Sequence, residues 1–168
     1  SDIGNPKKAG TSAYNQTDQS YSLKGGGYNI WFDRDEFHYL NNKIKGDFLL
    51  TANFKFVGKG TNGHRKTGWM VRESTDDKSS HISATLHGDG LTVLQWRVSS
   101  GAPMRDPQDE LFADSSHYNI IQVERKGQTI IMRAAHTCEP LQLIGSHEMV
   151  NLPDEVLAGL FICSHDPE

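Results

Sequence analysis

Long apolar runs are missing from this sequence: none approaches the ~20 residues that cross a bilayer as a helix, so no membrane span is expected. The N-terminus, Ser1-Asp2-Ile3-Gly4, carries no basic-then-apolar leader, and a chain trimmed of a signal peptide or of an upstream domain reads the same way. An excess of either charge is missing too. With 17 basic and 21 acidic residues spread along 168 positions, the formal net charge is -4. That balance argues against a counterion-releasing surface, so nucleic acid is not an expected partner. Cysteine is scarce. Cys138 and Cys163 allow one disulfide, and two buried free thiols satisfy the count equally well.

Catalytic signatures are also missing. Eight histidines are scattered without an H-E-x-x-H or C-x-x-C spacing, so no zinc site is expected. No G-x-S-x-G elbow occurs. Ser164-His165-Asp166 sets three hydrolase residue types side by side, but neighbouring residues cannot line up as nucleophile, base and orienter, and a strand-end turn explains them better.

What is present is enough apolar side chain for one core. Hydrophobic residues make up 36% of the chain and charged residues 23%, a balance that folds rather than stays disordered. One domain over residues 1–168 is the expectation. There is no internal repeat, and segments of helical period are scarce. In Asp47 to Phe56, residues Phe48, Leu50, Ala52, Phe54 and Phe56 fall on one face and mostly polar groups on the other, which is a half-buried strand. Further strands are expected over Tyr28 to Trp31, Glu36 to Leu40, Gly68 to Ser74, His81 to Leu86 and Leu91 to Val98. Tyr118 to Arg125, Thr129 to Ala134, Leu141 to Ile144 and Gly159 to Cys163 complete the set.

His87-Gly88-Asp89-Gly90 and Arg125-Lys126-Gly127-Gln128 read as hairpin turns, with glycines supplying positive φ. Pro107 to Phe112 reads either as a short helix or as a loop. The first ~25 residues, rich in Gly, Ser, Asn and Gln, read as an extended arm. Within it, Asn15-Gln16-Thr17 matches the N-glycosylation triplet, a pattern that also arises by chance. Many short strands without interleaved helices predict an all-β sandwich of two antiparallel sheets.

Alternation sorts the strand residues by face. Met70 and Arg72 lie opposite Trp69, Val71 and Glu73; Ile82, Ala84 and Leu86 lie opposite His81, Ser83 and Thr85; Leu94, Trp96 and Val98 lie opposite Gln95 and Arg97. With the apolar sets in the core, Arg72, His81, Ser83, Gln95 and Arg97 assemble on one exposed surface. Its guanidinium and amide donors suit sugar hydroxyls or a carboxylate, with Trp31 as a stacking surface. The alternative is a solvated face that binds nothing. Asp33, Asp35 and Glu36 form a carboxylate cluster in which only Asp33 and Asp35 share a strand face. Glycoside hydrolysis, a Ca2+ site and a hydrogen-bonded turn are the three uses of those oxygens, and the turn is the simplest.

These residues carry a resemblance. Asp2-Ile3-Gly4, Ile30-Trp31 followed by Asp35, Phe37, His38 and Tyr39, then Gly46-Asp47, Gly68, Arg72-Glu73-Ser74, His81, Gln95 and Arg97 resemble bacterial concanavalin A-like lectin/glucanase domains, in particular DUF1349-like modules. Gly159-Leu160-Phe161 with Ser164-His165 is similar to their closing strand. The resemblance implies a two-sheet jelly-roll sandwich outside the cytoplasm, extracellular or periplasmic, that often accompanies carbohydrate-active domains. In matching positions it marks Arg72, Glu73, His81, Gln95 and Arg97 as ligand-binding residues beside Trp31. The glucanase-type acidic motif E-x-D-x-x-E is not found. The expectation is a non-catalytic carbohydrate-binding or accessory module, whose partners are a glycan or other polar ligand and an upstream domain of the same polypeptide. A glycoside hydrolase-related enzyme and a structural or protein-interaction domain are the alternatives. No cofactor is expected beyond the Ca2+ already considered.

Overall fold

The computed structural model describes residues 1–166. Among the described residues fifteen strands run in the order β1 (Asp2–Ile3), β2 (Thr11–Asn15), β3 (Ser20–Lys24), β4 (Ile30–Trp31), β5 (Arg34–Asp35), β6 (Phe37–Lys45), β7 (Phe48–Asn53) and β8 (Lys66–Arg72). They continue with β9 (His81–His87), β10 (Thr92–Arg97), β11 (Glu110–Phe112), β12 (Ile120–Lys126), β13 (Thr129–Ala135), β14 (Gln142–Glu148) and β15 (Glu155–Cys163). A large sheet takes seven of them in the order β1-β6-β15-β8-β9-β10-β11, and a small sheet takes β14-β13-β12-β7. Pairing is antiparallel in both sheets. Among the described residues no helix is long and apolar enough to cross a membrane.

The two sheets form a sandwich because each presents an apolar row at period two. Val71, Ile82, Ala84, Leu86, Leu94, Trp96, Val156 and Ala158 of the large sheet meet Ile121, Val123, Ile130, Met132 and Ala134 of the small one in a single buried cluster. The expected alternation of β7 holds: Phe48, Leu50 and Ala52 are half-buried, and Leu49, Thr51 and Asn53 are exposed. Phe54 and Phe56 follow the strand and still pack on the core.

A second apolar cluster lies on the other face of the large sheet, where Ile3, Ile30, Phe37, Tyr39, Met70, Phe161 and Cys163 pack together. It explains the N-terminal arm. Rather than only extending, the arm pairs Asp2 with His38 and Ile3 with Phe37, then turns through the exposed hairpin β2-β3. Asn15 of the glycosylation triplet sits at the tip of that hairpin, exposed.

Several local expectations are corrected. Glu110–Phe112 is a strand on the edge of the large sheet, and no helix forms over 107–112. β6 and β15 each run for nine residues because they pair along their length, although polar Asn41, Asn42 and Lys43 hide the strand pattern. In the β9-β10 turn only Gly90 takes a positive φ, 96°, whereas Gly127 at 59° serves the β12-β13 turn as expected. The cysteines are both free. Cys163 is buried, its thiol donating to Gly27 O at 3.4 Å, and Cys138 is exposed, so neither the disulfide nor a pair of buried thiols is formed.

Candidate functional site

Strand register places the predicted site residues together. Arg72 of β8 pairs with His81 of β9, and His81 with Arg97 of β10; one step along, Met70, Ser83, Gln95 and Glu110 line up across β8, β9, β10 and β11. Gly68, Thr85, Val93 and Phe112 form the next row, and Lys66 pairs with His87 at the end. All point away from the small sheet, since the alternate residues of each strand are in the sandwich core.

Exposure is where the sequence expectation fails. Arg72, His81 and Arg97 are 0% exposed, and every residue of β9 and β10 is buried. The cause is Asp35. Its carboxylate accepts Arg97 Nη1 and Nη2, each at 2.7 Å, and Arg72 Nη1 at 2.6 Å. The remaining guanidinium donors go to backbone carbonyls: Arg72 Nε to Ser74 O, Arg72 Nη2 to Asp76 O, Arg97 Nε to Ala102 O and Arg97 Nη1 to Ser79 O. Three loops are therefore tied to one carboxylate, and Asp35 N adds a bond to Asp77 O. The two arginines are clamps on the loops that cover the face, not donors to an incoming ligand.

The cluster settles its own ionisation. The Asp35 carboxyl is held below its usual range: burial opposes ionisation, but the hydrogen bonds and charges of Arg97 and Arg72 outweigh it. His81 is pushed down to about 3, chiefly by burial and further by the two guanidiniums, so it is neutral at physiological pH. Its Nδ1 lies 3.6 Å from Asp35 Oδ2, which is accordingly not an ion pair. Its Nε2 is buried and has no hydrogen-bond partner among the described residues.

The other expected residues separate. Gln95 is buried on the same face, its amide 3.5 Å from Glu110 Oε2. Glu73 is exposed beyond the end of β8, accepting Ser100 Oγ at 3.3 Å, as its opposite parity to Arg72 requires. Trp31 is half-buried in the segment between Asn29, which accepts Lys66 Nζ at 2.5 Å, and Asp35 on the arginines. That segment is thus anchored to the large sheet at both ends, with Trp31 and Phe32 between the anchors.

Asp33, Asp35 and Glu36 do not converge. Asp33 is exposed, Asp35 is consumed by the arginines, and Glu36 Oε2 accepts the Tyr28 amide at 3.2 Å. A surface cavity of ≈ 390 Å³ lined by Gly4, Asn5, Arg34, Asp35, Glu36 and Asp77 shares only Asp35 with the cluster, whose carboxylate is already fully paired.

Sequence reasoning named Ser83 for this face and gave Thr85 the same parity, but missed Lys66 and Glu110, which extend the row at either end. Thr85 Oγ1 donates to Ser83 Oγ at 3.1 Å. Glu110 is half-buried, its carboxyl held above the usual range by desolvation first and then by the neighbouring Asp106 carboxyl, with which it hydrogen-bonds. Two carboxyls in direct contact leave no room between them for a glycosidic bond, which acid-base pairs flank at about 5 Å or more. The row carries donors and acceptors in sequence, ammonium, hydroxyls, amide and carboxyl, of which the half-buried Glu110 carboxyl is the accessible end.

No family model matches the sequence, and no curated protein matches it. The fold is similar to that in the crystal structure of a functionally unknown protein from Saccharomyces cerevisiae, with a TM-score of 0.63 at 14% sequence identity. The likeness covers 100% of this chain and 87% of that one.

Proposed function

We propose that this chain is a concanavalin A-like jelly-roll domain acting as a non-catalytic carbohydrate-binding or accessory module of an exported bacterial protein, extracellular or periplasmic. Its ligand is a glycan held along the second face of the large sheet. The observation that carries the reading is the polar row of Lys66, Thr85, Ser83, Gln95 and Glu110 across four strands of a face the sandwich core does not use; the first four are buried beneath the covering loops, and half-buried Glu110 beside exposed Phe112 is the edge a ligand reaches first. Sugar hydroxyls both donate and accept, and the row supplies both kinds of partner. Phe112, 49% exposed, stands at the edge of the same face, and half-buried Trp31 lies in the segment above it; each offers a ring for the apolar side of a sugar. Export, and a place beside another domain of the same polypeptide, rest on the sequence resemblance.

A glycan array probed with the purified domain tests the proposal. Retention of a defined set of glycans, lost in Gln95→Ala and Glu110→Ala variants with unchanged circular dichroism, is the expected result. An array with no signal above background contradicts it.

A further inference from the structure

Lys66 is 4% exposed, and its ammonium donates to the neutral Asn29 Oδ1 rather than to a carboxylate. Asn29 Oδ1 is itself shared, since it also accepts the Ile30 amide at 2.8 Å. An ammonium carries three donors and is costly to bury; burial pushes Lys66 below its ordinary range, and the more distant Cys163, Asp35 and Glu110 offset this only in part.

Its surroundings make the imbalance larger. Lys66 pairs with His87 across β8 and β9. The ring of His64 stands edge-on to His87 at 5.8 Å and tilted against His165 at 5.7 Å. Tyr28 stacks on His165 at 6.5 Å. His165 Nδ1 is buried with no hydrogen-bond partner among the described residues. His64 and Tyr28 are exposed and His165 is half-buried. Burial first and then the charge of Lys66 hold His87 and His165 below the usual imidazole range, Asp89 partly opposing this at His87. Such a cluster repels metal cations and suits an oxyanion.

We infer that Lys66, with His64 and His165 at its mouth, is a subsite for an oxyanion group, the carboxylate or sulfate of an acidic glycan. The ammonium supplies the charge, and imidazole nitrogens supply further hydrogen bonds. Lys66 also ends the polar row described above, so the inference rests on the carbohydrate-binding reading and narrows it to acidic sugars.

The test titrates isotope-labelled protein with sodium glucuronate, sodium sulfate and methyl glucoside while following the ring signals of His64, His87 and His165. Saturable shifts with glucuronate and sulfate at millimolar concentrations are expected, and Lys66→Met and His165→Ala should each weaken them by about tenfold or more. The inference is overturned if neither anion shifts these rings saturably, or if a folded Lys66→Met variant responds as the wild type does. A glycan bound with undiminished affinity by Lys66→Met overturns the subsite and leaves the carbohydrate-binding reading standing. Sulfate held through Lys66 in a protein that captures no glycan supports the subsite and removes that reading.

Discussion

The Arg97 guanidinium grips the Asp35 carboxylate end-on, with two hydrogen bonds of 2.7 Å between side chains that are both fully buried. Arg72 adds a third bond to the same carboxylate. One negative charge thus holds two positive ones, and the covering loops take up the remaining donors. Removing the carboxylate leaves two guanidiniums buried and unpaired. Asp35→Asn should therefore destabilise the domain by about 3–5 kcal/mol, read as a fall in the urea midpoint. A loss below about 1 kcal/mol would mean that the cluster contributes like a surface pair.

The same burial sets the pH dependence. His81 and His87 are each pushed down to about 3 in the fold, mainly by burial, against about 6.5 in the unfolded chain. Between those values the unfolded state binds the extra protons, so stability rises with pH in this window and is lost as pH falls. Asp35, whose carboxyl is depressed, contributes stability that is lost only below about pH 4. Unfolding free energy should drop by roughly 2–3 kcal/mol between pH 7.5 and pH 5.5, about 1.4 kcal/mol for each histidine over that interval. A flat profile there, or a rise on acidification, contradicts neutral His81 and His87.

Lys66 carries a stability cost that a binding role explains. Replacing the ammonium by an apolar chain of similar length removes the buried charge, and Asn29 Oδ1 keeps its bond from the Ile30 amide. Lys66→Met should raise the unfolding free energy by about 1–3 kcal/mol in the absence of added anions. Thermal unfolding at low salt reads this directly; a destabilised Lys66→Met would instead assign the ammonium to the fold.

The thiols differ in access. Cys138 is exposed, whereas Cys163 is buried and its thiol is pushed up to about 11 by that burial. A thiol-reactive dye should label one cysteine in the native protein within minutes and the second only after denaturation. Prompt labelling of two sites would contradict the packing around Phe37, Phe161 and Cys163.

Much of the fold was legible because side-chain period reports directly on strand faces. The rows Val71, Ile82–Ala84–Leu86 and Leu94–Trp96 follow from alternation and do meet the small sheet. The same alternation put Arg72, His81, Ser83, Gln95 and Arg97 on one face, where the register places them. It could not show that this face is covered. A polar residue on a strand reads as solvated unless a distant segment lies over it, and the cover here comes from Asp35, which is 37 residues from Arg72 and 62 from Arg97. Asp35 itself read as a turn residue because its partners lie on other strands. Lys66 was passed over because a lone lysine at the start of a strand is ordinarily solvent-facing; only its burial reveals that the charge is held away from solvent.

The central claim is that the second face of the large sheet, and not the outer face of the small one, holds a glycan. The most direct measurement is glycan-array binding by the wild type, Gln95→Leu on the claimed face and Gln122→Ala on the exterior of the small sheet. The account predicts that the wild type and Gln122→Ala retain the same glycans, with carboxylated or sulfated members strongest, and that folded Gln95→Leu loses them. Binding that survives Gln95→Leu and disappears with Gln122→Ala, or no binding by any of the three proteins, would contradict it.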